Sequence, residues 1–191
     1  MIAAVVLAAG LSTRMGRQKL LLPLGDKPVV RWSVEAVLPH VQDVVVVTGR
    51  ETAAVRDALA GLSVRFAENP SPEAGQSSSI GVGVAALPPA ARAALIVLGD
   101  QPRTPRSVVP ALLAARDRTG KAVIVPVYRG VRGTPVLFGA EVFAELRALS
   151  GDAGARAVVA ARPERVEAVE VDSPMPVDVD TPEDLARVHV E

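Results

Sequence analysis

The sequence predicts an α/β sandwich of three layers, with helices covering both faces of a mostly parallel sheet. Short β-branched apolar runs alternate with longer Ala/Leu-rich amphipathic stretches along almost the whole chain, the pattern of parallel strands joined by helical crossovers. Most of the strand candidates are apolar throughout, as strands buried on both faces must be. The chain has 191 residues, 49% of them hydrophobic, which is ample apolar surface to close one core. The expected architecture is therefore Rossmann-like, with a single domain over residues 1–191.

The elements follow in order. Strands are expected at residues 3–7, 43–48, 64–67, 94–98, 122–127, 135–138 and 166–171, each a short Val/Ile/Leu/Ala run bounded by turn residues or charge. Helices are expected to start near Pro28, Glu51, Ser77, Pro105, Ala140, Ala153 and Pro182, where Pro, Ser or Asp supplies first-turn or capping chemistry. Two segments break the rhythm: residues 10–24 after the first strand and residues 68–76 after the third. Loops of that length usually carry function. Residues 87–93, rich in Pro and Ala, read as an ordinary exposed connection.

Composition removes whole classes of function. Lys plus Arg number 21 and Asp plus Glu 21, for a net charge of zero, which argues against coating nucleic acid or an anionic membrane and makes any anion handling local. The absence of cysteine excludes disulfides, thiolate metal sites and cysteine nucleophiles. Two histidines, His40 and His189, leave little for histidine-based metal sites, and 3% aromatic residues do not make a base-stacking platform. No apolar run approaches the roughly 18 to 20 residues of a spanning helix, and no basic residues precede the first apolar stretch as in a signal peptide. A cytoplasmic protein without nucleic-acid or membrane partners is the expectation.

The most informative segment is Leu7-Ala8-Ala9-Gly10-Leu11-Ser12-Thr13-Arg14-Met15-Gly16-Arg17-Gln18-Lys19. Two glycines, small hydroxyls and three cations directly after an apolar strand suit a phosphate cradle, because glycine lets backbone N–H groups approach an anion that Arg and Lys neutralise. A solvated basic turn is the other reading of the same residues. Five residues separate Gly10 from Gly16 and no Gly-Lys-Ser/Thr follows, so the segment is not a P-loop. Gly81-Val82-Gly83-Val84-Ala85-Ala86 formally matches the dinucleotide fingerprint, but it follows serines rather than a strand and is expected inside a helix, where small residues allow close packing.

Asp100 stands at the C-terminal end of a predicted buried strand, where ligands of open α/β sheets bind. It suits a hard cation; it also suits a cap for the helix near Pro105. Near the C-terminus, Asp178-Val179-Asp180-Thr181-Pro182-Glu183 offers further carboxylates, and Asp180 doubles as a candidate N-cap. Since Mg²⁺ takes one or two protein carboxylates plus phosphate oxygens and water, Asp100 with Asp180 suffices and Asp178 is spare or supporting.

Together, LAAGLSTRMGRQKLLLPLGDKPVV, LIVLGDQPRTP, RGTPVLF, LSGDAGAR and VDVDTPEDL resemble the MobA-like nucleotidyltransferases, in particular their molybdenum cofactor cytidylyltransferase branch. The resemblance runs from Val5 to Leu185 and implies a nucleotide-diphospho-sugar transferase-like fold. It further implies that Leu7, Ala8, Ala9 and Gly10 cradle base and ribose, that Arg14 and Lys19 bind the triphosphate, and that Asp100 and Asp180 hold Mg²⁺, with Arg14, Lys19 and Asp100 catalytic. Gly75, Ser77 and Ser78 match a turn lining the nucleotide or pterin pocket, or else cap a helix. Gln101, Asp152 and Arg156 fall on the acceptor side. Ala9 and Gln101 resemble the CTP-using members. Thr134 is a departure, since the family often has histidine there, and it puts the acceptor in question.

The expected reaction carries CMP from CTP to the phosphate of a molybdopterin-type cofactor, which would then pass to a recipient molybdoenzyme. The alternatives are nucleotidyl transfer to a sugar or polyol phosphate, an NAD(P)H-dependent oxidoreductase on the same fold, and a non-catalytic accessory protein that holds the molybdenum cofactor.

Overall fold

A computed structural model describes residues 1–10, 18–151 and 154–190, with side chains as far as residue 188. The apolar runs form strands where the sequence predicts them. β1 (Ile2–Ala8) leads, past residues 11–17, to a 3-10 turn at Lys19–Leu21, and then to a small antiparallel hairpin of β2 (Pro23–Leu24) and β3 (Lys27–Pro28). Pro28, extended, opens α1 (Val29–Val37), which buries Val29, Val30, Val34 and Val37 at helical spacing. β4 (Asp43–Thr48), α2 (Thr52–Ala58), β5 (Arg65–Glu68), α3 (Gln76–Ala85) and β6 (Ala93–Leu98) continue the alternation. α4 (Val108–Thr119) precedes the hairpin of β7 (Val123–Tyr128) and β8 (Val131–Arg132); β9 (Val136–Gly139), α5 (Phe143–Arg147), α6 (Arg156–Ala161), β10 (Val166–Val171) and α7 (Pro182–Val190) complete the order.

Seven strands line up as β10-β7-β9-β6-β1-β4-β5, with β8 added on β7. The pairs β1–β4, β1–β6, β4–β5 and β7–β10 are parallel, whereas β9 runs antiparallel to both β6 and β7. The mostly parallel sheet is thus present, interrupted by one reversed strand that a short loop from the β7–β8 hairpin delivers. Alternate residues of β1 face opposite layers, as the strand period requires. Ala4, Val6 and Ala8 pack with α1, α2, α4 and α7, and Ala3 and Val5 with α3, α5 and α6.

Boundaries shift where local chemistry differs from expectation. α4 starts at Val108 rather than near Pro105, and a 3-10 turn at Ala140–Val142 precedes α5. The G-x-G-x-x-A stretch lies inside α3, and a Cβ on Gly83 would stand 2.2 Å from Val5 Cγ1 and 2.8 Å from Val47 Cγ2. That glycine serves contact between helix and sheet, not a phosphate turn. Among the described residues no helix is long and apolar enough to cross a membrane.

Candidate functional site

The site grows from the C-terminal ends of β1 and β6. These strands pair in parallel with Leu7 opposite Leu98, so their chains leave the sheet side by side. The next residue, Gly99, donates its N–H to Leu7 O at 3.0 Å. A Cβ there would lie 2.7 Å from the same oxygen, so only glycine allows the approach. Buried Ser33 of α1 donates its hydroxyl to Gly99 O at 3.0 Å. The backbone that carries Asp100 is therefore tied to β1 on one side and α1 on the other.

Lys19 arrives from the 3-10 turn, which buried Leu20 anchors. Gln18 braces the turn, donating Nε2 to Gly10 O at 3.2 Å. Asp180 comes from the far end of the chain. Val179, fully buried, donates its N–H to Asp100 O at 3.0 Å and sets the two acidic residues next to each other. Lys19 Nζ then bonds Asp100 Oδ2 at 2.5 Å and Asp180 Oδ1 at 2.6 Å. Burial works against the charge on Lys19, but Asp100 and then Asp180 outweigh it and hold the ammonium above the usual lysine range.

Helix capping is divided from this cluster. Asp184 Oδ2 accepts from Asp180 N, Thr181 N and Thr181 Oγ1, and Asp184 N donates to Thr181 Oγ1 at 3.2 Å. Thr181 and Asp184 thus form the reciprocal cap of α7, and the side chain of Asp180 remains with Lys19. Asp100 likewise does not cap α4, whose N-cap is Ser107.

A cavity of about 460 Å³ is lined by Gln101, which follows Asp100 in the chain, and by Asp178, two residues before Asp180. Ile80, Ile96, Val125 and Val159 give it apolar walls, and Arg132 and Arg156 give it cations. Gln101, 5% exposed, donates Nε2 to Asp178 Oδ1 at 2.7 Å and accepts the Thr134 hydroxyl at 2.5 Å. Tyr128 OH in turn donates to Thr134 O at 2.7 Å. Asp178 keeps solvent-accessible surface, yet the protein crowded around it, together with the charge of Asp100, raises its pKa above the ordinary carboxylate range.

Lys19, Asp100 and Asp180 thus meet at one point. Ala8 and Ala9 are buried, and Leu7 and Gly10 lie at the same strand end. Gly75, at φ 90°, is itself the N-cap of α3, so the serines do not cap it. Ser78 is engaged locally, accepting from Asn69 Nδ2 at 2.8 Å and donating to Gly75 O at 2.8 Å. Ser77 is buried, and among the described residues its hydroxyl has no hydrogen-bond partner. Arg156 is on the cavity wall. Arg14 and Asp152 lie outside the described residues. The sequence reading passed over Gln76 and Arg132 as cavity residues and the pairing of Gln101 with Thr134 and Asp178; the RGTP motif was the one signal pointing at Thr134.

Both Asp100 and Asp180 are hard oxygen donors already converging on one positive charge, a donor set that fits Mg²⁺ or Mn²⁺. Among the described residues no three His, Asp or Glu side chains cluster as a fuller metal cage would require. Two carboxylates suit a cation that also takes phosphate oxygens.

Residues 4–167 match the MobA-like NTP transferase domain. The chain is 30% identical over 198 residues to the purine catabolism protein PucB of Bacillus subtilis, covering 96% of this chain and 94% of that protein. It is 25% identical over 134 residues to the molybdenum cofactor cytidylyltransferase of Escherichia coli, covering 70% and 67%. Against the bifunctional protein GlmU of Pelobacter propionicus it is 32% identical over 127 residues, and there the chain spans only 28% of the relative's length. Among solved structures, Rv0371c of Mycobacterium tuberculosis superimposes with a TM-score of 0.86 at 30% identity, over 100% of this chain and 97% of that one. The same protein in complex with manganese gives 0.82 at 30% identity, over 100% and 98%.

Proposed function

Because the chain belongs to the MobA-like NTP transferase family, we propose that it transfers CMP from CTP to the phosphate of a molybdopterin-type cofactor and releases pyrophosphate. The observation that carries this reading is the meeting of Lys19, Asp100 and Asp180 at the C-terminal edge of the sheet, next to a cavity large enough for a second substrate. The CTP preference is supported by Ala9 and Gln101, which resemble the CTP-using members. The acceptor is supported by the named activity of the Escherichia coli relative.

In the transfer, an acceptor phosphate oxygen bonds to the α-phosphorus while the bond to the β-phosphate bridging oxygen breaks, and the electron pair leaves with pyrophosphate. A phosphate monoester is largely ionised near neutral pH, so no strong base is needed. The obstacle is repulsion between anions. Lys19 places positive charge on the triphosphate, Arg14 adds a second cation, and the backbone of residues 7–10 seats base and ribose. Asp100 and Asp180 would hold Mg²⁺, which when bound screens the phosphate oxygens; the manganese complex of the mycobacterial relative supports a divalent ion. Arg156 and Gln101 face the acceptor. Gly75, Ser77 and Ser78 shape the nearby turn.

The test is pyrophosphate release with CTP, GTP and ATP in turn, each with purified molybdopterin. Release that requires molybdopterin and is fastest with CTP is expected; a faster reaction with GTP or ATP would remove the nucleotide assignment. Thr134, where the family often has histidine, favours a second reading in which the same half-site serves a sugar or polyol phosphate, and an acceptor panel with radiolabelled CTP separates the two.

A further inference from the structure

The phosphate cluster leaves one chain of hydrogen bonds without a role. Thr134 Oγ1 donates to Gln101 Oε1 and Gln101 Nε2 donates to Asp178 Oδ1. The Gln101 amide has one favourable orientation, because turning it over would set its oxygen against the carboxylate. Thr134 is itself fixed through its carbonyl by Tyr128, 1% exposed. One oxygen of Asp178 is thereby committed to Gln101, while no hydrogen bond among the described residues engages Oδ2. Asp178 lines a cavity in which Ile80, Ile96 and Val125 form an apolar wall and Arg132 and Arg156 supply cations.

An exposed carboxylate oxygen at the edge of an apolar wall discriminates between rings that strip its water. A ring that presents N–H donors completes the carboxylate's bonding, and a ring that presents lone pairs leaves it unpaired and repelled. We propose that Asp178 is a specificity-determining residue for the acceptor, receiving the N–H edge of a flat heterocycle of the pterin class seated between the Ile80, Ile96 and Val125 side chains, with Gln101 and Thr134 as positioning residues. The class of ring rests on the acceptor reading above.

Free pterin is the probe, titrated by its own fluorescence into the full chain without nucleotide. Saturable binding is expected for the wild type. Asp178→Asn keeps the volume, but its amide oxygen takes the Gln101 bond and turns NH₂ toward the ring, so affinity for pterin falls about 10- to 100-fold. Thr134→Val frees the Gln101 amide and weakens pterin about tenfold, Thr134→Ser restores it, and CTP affinity changes far less than pterin affinity in all three. The proposal is overturned by a wild-type chain that does not bind pterin, by Asp178→Asn binding it normally, by Thr134→Ser behaving as Thr134→Val, or by a parallel loss of CTP affinity, which marks collapse of the site. Failure of the transfer reading shows separately: no pyrophosphate is released with molybdopterin although pterin binding still depends on Asp178.

Discussion

At the scale of single residues, Lys19 does what a cation does between two acids: it lets Asp100 and Asp180 sit side by side. Its side chain is 12% exposed, and Asp180 at 43% remains within reach of solvent. Lys19→Met keeps most of the length and removes the charge, leaving two facing carboxylates. The variant should lose about 1 to 3 kcal/mol of stability, less than a fully buried pair would because Asp180 is partly hydrated. Added Mg²⁺ or Mn²⁺ should raise its melting temperature more than that of the wild type, and thermal unfolding with and without the ion measures this. Nucleotidyl transfer should fall about 100- to 1000-fold, as for loss of one charge-stabilising group, and steady-state pyrophosphate release measures that. The candidate cluster was legible in part. Asp100 and Lys19 stood out by following predicted strands and loops, and Asp180 by the DTPED motif. The partnership of Gln101 with Asp178 and Thr134 was not, because 77 and 33 residues separate the partners and no local periodicity encodes such a contact.

At the scale of elements, α3 shows how two glycines of one motif differ. On Gly83 a methyl group would meet Val5 and Val47 closer than carbon atoms ever stand, whereas on Gly81 the nearest neighbour would be Arg147 O at 3.6 Å. Gly83→Ala should therefore destabilise by about 1 to 3 kcal/mol through overpacking. Gly81→Ala should be neutral or stabilising by up to about 1 kcal/mol, since alanine favours helix. Urea unfolding of both variants gives the comparison. All seven main strands were legible because apolar β-branched runs this short have few other stable fates in a mixed sequence. The reversed direction of β9 was not, since a run such as Val136–Gly139 reads the same whichever way it pairs. The pieces β2, β3 and β8 are two residues each and too short to carry a period.

For the whole molecule, acid pH is the informative variable. The Arg165 fork on Glu145, with both N–O distances 2.6 Å, holds that carboxyl below the usual glutamate range. Burial pushes Glu35 the other way, but hydrogen bonds from Lys27 and Arg31 outweigh it and hold this carboxyl low as well. A group with a lowered folded pKa stabilises fully above its unfolded value, about 4.3 for glutamate, and loses that contribution as pH falls through the lower folded value. Stability should thus be level near neutrality and decline on acidification below about pH 4.3. Glu145→Gln and Glu35→Gln should each flatten that decline by about 1 kcal/mol or less, because both pairs are partly exposed. Urea midpoints between pH 7 and pH 3 follow directly.

The bond from Val179 to Asp100 also bears on how the protein is made. Every strand of the sheet is finished by Val171, and Asp180 emerges only afterwards. A nascent polypeptide on the ribosome can therefore assemble its β-scaffold while still lacking half of its acidic pair, and the Lys19 cluster closes only once the stretch beyond β10 has followed.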